Sequence, residues 1–319
     1  MPLDPRARRL LSMVAATGSE ERERPSVEHR RQSLAKLMQF ARNDVGVVTT
    51  QDAHLFGPAG PLRYRLYTPT DEAVETDARR SGFVYFHGGG LVAGSIETHD
   101  RLAAALAAAS KCRLLSIEYR LAPEHTFPAA FDDAVAAVQF AVDHANALGL
   151  DRDRIVVGGD SAGATLAAAV CRYFGSTASF RIATQCLICP VLDFSRAWPS
   201  RELFGNGYLV DAAIWQADLA DCLPEGTDLR DPRISPLCGA DFSNLPPAVI
   251  HTAEFDPMRD EGNAYAARLK QAGVPVAHVC HDGMVHNFHA LGALLPQAKP
   301  ALELIGRQIQ SLLHARDLS

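Results

Sequence analysis

Residues 154–170 read Arg154-Ile-Val-Val-Gly-Gly-Asp-Ser-Ala-Gly-Ala-Thr-Leu-Ala-Ala-Ala-Val170. An apolar, β-branched run leads into Gly159-Asp160-Ser161-Ala162-Gly163, and an Ala-rich helical run leads out. Strand, sharp turn and helix therefore follow one another directly. A strand feeding straight into a helix is the repeating unit of a parallel sheet covered on its faces. The small residues flanking Ser161 let the chain turn tightly, lifting the serine oxygen off the sheet with a helix N-terminus beneath it. The plainer reading is a glycine-rich turn capped by a serine; the strand before and the helix after favour a nucleophile.

Working outward, short β-branched or aromatic runs alternate with longer helical ones from Val47 onward. Strands are expected at 47–55, 62–67, 82–86, 113–119, 154–158, 182–188, 248–252 and 274–280, and helices near 98–110, 128–148, 161–174, 257–272 and 290–315. This alternation predicts the α/β class, with a mostly parallel eight-stranded sheet flanked by helices. Two stretches stand outside it. Residues 1–45 are polar and helix-prone, while residues 194–232 scatter Trp198, Phe204, Tyr208, Leu209 and Trp215 among loop formers. Excursions longer than about 15 residues are uncommon unless they serve a site. Residues 1–45 and 194–232 are therefore expected to be the two parts of a helical cap over a core made of 46–193 and 233–319, with Met13, Phe204, Leu209 and Trp215 as roofing groups.

Composition limits what the chain can be. Its 319 residues are enough to bury about 75% of the surface of the unfolded chain. With 47% apolar and 21% charged residues it fits neither a disordered segment nor a small disulfide scaffold. A net charge of −6 disfavours nucleic acid and anionic membrane as partners. No apolar run approaches the roughly 18 residues needed to span a bilayer. Arg6, Arg8 and Arg9 ahead of residues 10–16 resemble a weak secretion signal, but Asp4 and Ser12 interrupt it and acidic residues follow, so an amphipathic surface helix is expected. Seven scattered cysteines suit a reducing compartment, the cytoplasm. Cys186 and Cys189 have CxxC spacing, but both fall in a segment read as one buried strand, where residues three apart point to opposite faces. They are expected to be structural.

Attack on a carbonyl creates an oxyanion, whose donors must already be in place. His87-Gly88-Gly89-Gly90 follows the strand Phe83-Val-Tyr-Phe86, and its glycines let backbone N–H groups approach a substrate closely. The N–H of Ala162 would complete the pocket. A phosphate-binding turn is the alternative, but the chain has no GxGxxG after its first strand and no Walker lysine. The base must be a histidine, which can take and return a proton near neutral pH. His286 lies just beyond the last expected strand, at the carboxyl edge where α/β sites gather; His281 and His289 compete with it. Asp256 follows the strand at 248–252 and could orient that base, with Glu254 and Asp260 as competitors and a plain helix cap as the bland reading.

The combination of HGGG at 87–90 with GDSAG at 159–163 resembles the hormone-sensitive-lipase-like family of α/β-hydrolases. Residues 119–133, Glu254-Phe-Asp-Pro-Met-Arg-Asp260 and Asp282-Gly-Met-Val-His-Asn-Phe288 resemble three further blocks of that family. The resemblance runs from about Phe83 to Phe288 and departs at Ala164, where the family usually carries glycine. It implies the α/β-hydrolase fold and selects Asp256 and His286 from their competitors, giving the chain order Ser161, Asp256, His286. It implies Gly88, Gly89, Gly90 and Ala162 as the oxyanion hole, no metal and no organic cofactor. The implied activity is a serine carboxylesterase acting on small-molecule esters of short to medium chain length. A receptor on the same scaffold is the rival from another class, opposed by His286, and an amidase or acyltransferase would use the same triad. The resemblance also allows a homodimer, which no residue of the chain specifies.

Overall fold

Why one end of this sheet gathers chemistry follows from how its strands are ordered. A computed structural model describes residues 2–17, 25–41, 46–70, 79–177 and 180–316. The expected cap segment 1–45 thus lies partly outside the described residues. Among the latter, eight strands form one sheet: β1 (Val48–Gly57), β2 (Gly60–Pro69), β3 (Arg80–Phe86), β4 (Arg113–Ile117), β5 (Leu150–Asp160), β6 (Thr184–Ile188), β7 (Ala248–Phe255) and β8 (Val276–Val285). Their spatial order is β1-β2-β4-β3-β5-β6-β7-β8. β1 and β2 form an antiparallel hairpin and β2 pairs antiparallel with β4, while β4, β3, β5, β6, β7 and β8 run parallel. The chain therefore reverses its direction of winding at β3, with β4 on one side and β5 on the other, and a crevice opens at the carboxyl ends there.

Nine helices complete the described chain: α1 (Pro5–Thr17), α2 (Val27–Met38), α3 (Ile96–Ser110), α4 (Ala129–Asp143), α5 (Ala162–Thr177), α6 (Pro199–Phe204), α7 (Ala212–Cys222), α8 (Arg259–Gln271) and α9 (Ala298–Arg316). The central strands carry unbroken apolar runs because both of their faces are covered. On one face Leu102 and Leu106 of α3 and Leu302, Ile305 and Ile309 of α9 pack with Phe83, Tyr85 and Val249. On the other, Val138 of α4, Leu166 of α5 and Leu269 of α8 pack with Val84, Phe86 and Ile250. Asp4 caps α1 by accepting from the N–H of Arg6 at 2.7 Å, and Ala7 and Leu10 are its buried face, as the amphipathic reading expects.

Three readings shift. The helix expected from 290 begins only at Ala298, because Gly292 and Pro296 interrupt the run and a short 3-10 turn, Phe288–Ala290, takes up the chain after β8. β5 starts four residues earlier than its apolar run, because Leu150 and Asp151 pair with Arg80 and Ser81 at the start of β3 before the register shifts. Cys186 and Cys189 are both buried and unbonded, but not because of strand alternation. β6 ends at Ile188, and Cys189 lies past it at φ 45°, which frees its side chain from the strand's alternation.

Candidate active site

Each candidate residue stands just past the carboxyl end of a strand. Ser161 follows β5 at φ 52°, in the left-handed region, where a non-glycine residue is strained. Its N–H donates to the carbonyl of Ile188 at the end of β6 (2.8 Å), and α5 begins at the next residue. His286 follows β8 and Asp256 follows β7, whose last residue Phe255 pairs with Val285. That pairing brings the two loops side by side.

His286 Nδ1 lies 2.8 Å from Asp256 Oδ2 and His286 Nε2 lies 3.0 Å from Ser161 Oγ. A carboxylate can only accept, so the imidazole proton sits on Nδ1 and the lone pair of Nε2 faces the hydroxyl. Asp256 Oδ1 accepts from the N–H of Met258 at 2.8 Å, which fixes the carboxylate plane. Burial disfavours the imidazolium of His286, but the charge of Asp256 and its hydrogen bond outweigh that, and the pKa of His286 is raised above the ordinary value. The competing residues are committed elsewhere. Glu254 accepts from the N–H of Gly283 (2.7 Å), Asp260 from that of Ser200 (2.9 Å), and His281 contacts His251 on β7.

The loop His87-Gly88-Gly89-Gly90 leaves β3 beside the serine turn. Gly89 and Gly90 have φ of 119° and 67°, values that an L side chain rarely adopts. Space forbids side chains as well: a Cβ on Gly89 would lie 2.9 Å from Leu34 of α2, and one on Gly90 would overlap the Asp218 carboxylate of α7. The N–H of Gly88 donates to Asp160 Oδ1 at 2.9 Å, leaving Gly89, Gly90 and Ala162 as the members of the expected oxyanion set without that commitment.

Asp160 is a residue whose importance sequence reading passed over. Fully buried, it accepts from Tyr85 of β3, from the N–H of Gly88 and from Asn287 Nδ2 at 2.6 Å, and it lies 3.6 Å from His99 Nε2 of α3. Burial alone would raise its pKa, but His99 and the donors around it hold the carboxyl at about 2. One carboxylate thus joins the glycine loop, the serine turn and the residue beside His286. Its place inside the quoted motif was the available signal. Cys189 was missed too: its Sγ and donor atoms of Asp256 and His286 all lie within 4.8 Å of one another. Burial pushes its thiol pKa well up, and the neighbouring Asp256 pushes it further, so the group stays protonated beside that carboxylate.

Residues of both expected cap segments border the crevice. Arg30 of α2 is ion-paired with Asp218 and Asp221 of α7, directly above the glycine loop. Burial pushes the pKa of Asp218 up to about 7, with Arg30 opposing and Asp221 adding to the shift. Phe204 and Tyr208 pack on Phe255, next to Asp256, with centroid separations of 5.4 and 5.9 Å. Met13 is exposed on α1.

Residues 83–290, which contain every candidate above except the cap residues of α1 and α2, match the family described as alpha/beta hydrolase fold. The chain is 36% identical to the ethyl acetate hydrolase of Pseudomonas putida over 83% of its own length and 81% of that protein's. It is 34% identical to the arylesterase of Saccharolobus solfataricus, over 90% and 92% of the two chains. An ester hydrolase from the metagenome of Lake Arreo, solved with a bipyridine phosphonate derivative, superposes with a TM-score of 0.91 at 39% identity, covering 97% of this chain and 98% of that one.

Proposed function

The chain belongs to the alpha/beta hydrolase family and is a carboxylic ester hydrolase, and we propose that Ser161, His286 and Asp256 perform that hydrolysis through an acyl-enzyme. The observation that carries the assignment is the imidazole of His286 bridging Ser161 Oγ at 3.0 Å and Asp256 at 2.8 Å. His286 Nε2 takes the proton of Ser161 as the oxygen attacks the ester carbon. The tetrahedral oxygen is held by the N–H groups of Gly89, Gly90 and Ala162, while Gly88, tied to Asp160, holds the loop in place. Asp256 stabilises the transient imidazolium, which then protonates the departing alkoxide. Water, activated by the same nitrogen, releases the acid. No step needs a metal or organic cofactor.

The described parts of 1–45, together with 194–232, act as a cap that limits the substrate to small esters of short to medium chain length. The cytoplasm suits the seven free thiols, and among the described residues no helix is long and apolar enough to cross a membrane. A histidine in hydrogen-bond reach of the serine has no purpose in a receptor, which favours catalysis over ligand sensing. The test is Ser161→Ala assayed on p-nitrophenyl acetate beside labelling by a fluorophosphonate. Hydrolysis and labelling should both vanish while the unfolding curve stays close to wild type. Wild-type turnover by the folded variant, or a label mapped to another serine, would remove the mechanism.

A further inference from the structure

A second group of chemically capable side chains lies behind the sheet's last two strands. His251 of β7, His281 of β8 and His289 of the 3-10 turn Phe288–Ala290 place one ring nitrogen each within 4.8 Å of one another. Their ring centroids are 4.9 Å (His251 to His281), 5.2 Å (His281 to His289) and 5.8 Å (His251 to His289) apart. His251 and His289 are fully buried and His281 is half-buried, on the edge strand. Phe288 packs against two of the rings, with centroid separations of 4.9 Å to His281 and 3.9 Å to His289.

We propose that His251, His281 and His289 form a binding site for one divalent transition-metal ion, zinc in particular, that clips β7 and β8 to the turn following His286. Three observations support it. Imidazole nitrogens are the borderline donors that zinc prefers, and three of them with one open position is a recurring zinc coordination. The outer partner is already present: His251 Nε2 lies 2.8 Å from Gln308 Oε1 of α9, and an amide oxygen accepts, so the proton is on Nε2 and the lone pair of Nδ1 faces His281. His251 Nδ1 and His281 Nε2 are 2.8 Å apart, sharing one proton. Zinc–nitrogen bonds of 2.0–2.1 Å at tetrahedral angles set ligand nitrogens about 3.3 Å apart, so zinc can replace that proton with roughly half an ångström of movement between these two rings, while the His289 nitrogen closes to the same separation from within 4.8 Å. The half-exposed His281 supplies the entry path, and Asp282 beside it contributes a compensating charge. The fourth position falls to a water molecule.

The test uses the full chain, stripped with a chelator and then titrated with zinc by calorimetry. The expected result is one zinc per chain with micromolar or tighter affinity, a rise in unfolding temperature, and a tetrahedral d–d spectrum when cobalt replaces zinc. His281→Gln should weaken zinc at least tenfold, whereas Gln308→Glu, which offers His251 a stronger acceptor, should tighten it about tenfold. If His281→Gln folds poorly, Gln308→Glu decides alone, and unchanged or weaker binding there overturns the site. Binding no tighter than millimolar overturns it as well. Cys189→Ala separates this site from the donor group Cys189, Asp256 and His286: zinc lost in that variant and kept in His281→Gln would place the metal in the active site and reject the proposal.

Discussion

At the scale of single residues, the working state of His286 is set by one neighbour. Burial pushes its imidazole toward neutrality and Asp256 pushes it the other way, with a net rise. His286 acts as a base only when neutral, so kcat/KM falls on the acid side as pH drops through a pKa above the ordinary value near 6.5. Asp256→Asn removes the opposing charge and leaves burial in command. The acid limb should then move to lower pH, while kcat at neutral pH drops on the order of 10^3 to 10^4-fold, because the amide no longer enforces the Nδ1 proton. A pH–rate profile on p-nitrophenyl acetate measures both; an acid limb that stays in place would assign it to another group. Ser161, Asp256 and His286 were legible in the sequence because each follows a strand, and strand ends can be read from local pattern. Asp160, Asn287 and Cys189 were not. Their partners lie across strands, and only the strand order and register from β3 through β8 tell which side chains meet. The histidines at 251, 281 and 289 were illegible for the same reason: no ligand spacing joins them, only the diagonal between β7 and β8 and the turn that follows.

At the scale of elements, the periodic core was readable and the interrupted segments were not. All eight strands fall on the expected runs, the central ones buried on both faces, although β1 is mostly exposed and β8 only half-buried along most of its length. The start of α9 was misplaced because hydrophobic periodicity continues through Leu291, Leu294 and Leu295, which are or lie beside buried positions although the backbone there is turn. The contact between α2 and α7 could not be read either, since nothing in Arg30 distinguishes it from the surface arginines around it. It is nearly buried, with 4% side-chain exposure, and bridges Asp218 and Asp221. Replacing it with Met leaves two carboxylates facing each other under partial burial, at a cost of roughly 3 kcal/mol, much of it felt locally. Arg30→Met should therefore raise KM several-fold with a small change in kcat, because α2 and α7 border the glycine loop without touching the reacting atoms. Steady-state kinetics with propionate and butyrate esters would show it. A KM equal to that of wild type would mean the ion pair does not hold the cap in place.

At the scale of the whole molecule, the question is how a sheet edge open to solvent selects an ester. Both long insertions return to one crevice: Leu34 and Asp218 stand on the glycine loop, and Phe204 and Tyr208 stand on Phe255 beside Asp256. The walls differ in chemistry. The α2 and α7 side presents an ion pair near the proposed oxyanion donors, whereas the α6 side presents aromatic faces. An acyl chain directed along the aromatic side gains about 0.8 kcal/mol per methylene buried, which is about fourfold in kcat/KM for each carbon that fits. Once the chain reaches the far wall a further methylene gains nothing and forces the cap outward. Efficiency on p-nitrophenyl esters should therefore climb from acetate, peak by about C8, and fall at least tenfold below that peak by C16, with negligible action on long-chain triglycerides. Removing residues 1–40 should flatten that profile while fluorophosphonates still label Ser161, since the strands and the serine turn lie outside the deleted segment. An efficiency that kept rising through C16, or a truncated chain with the profile of the intact one, would show that the two insertions do not set the length of the acyl pocket.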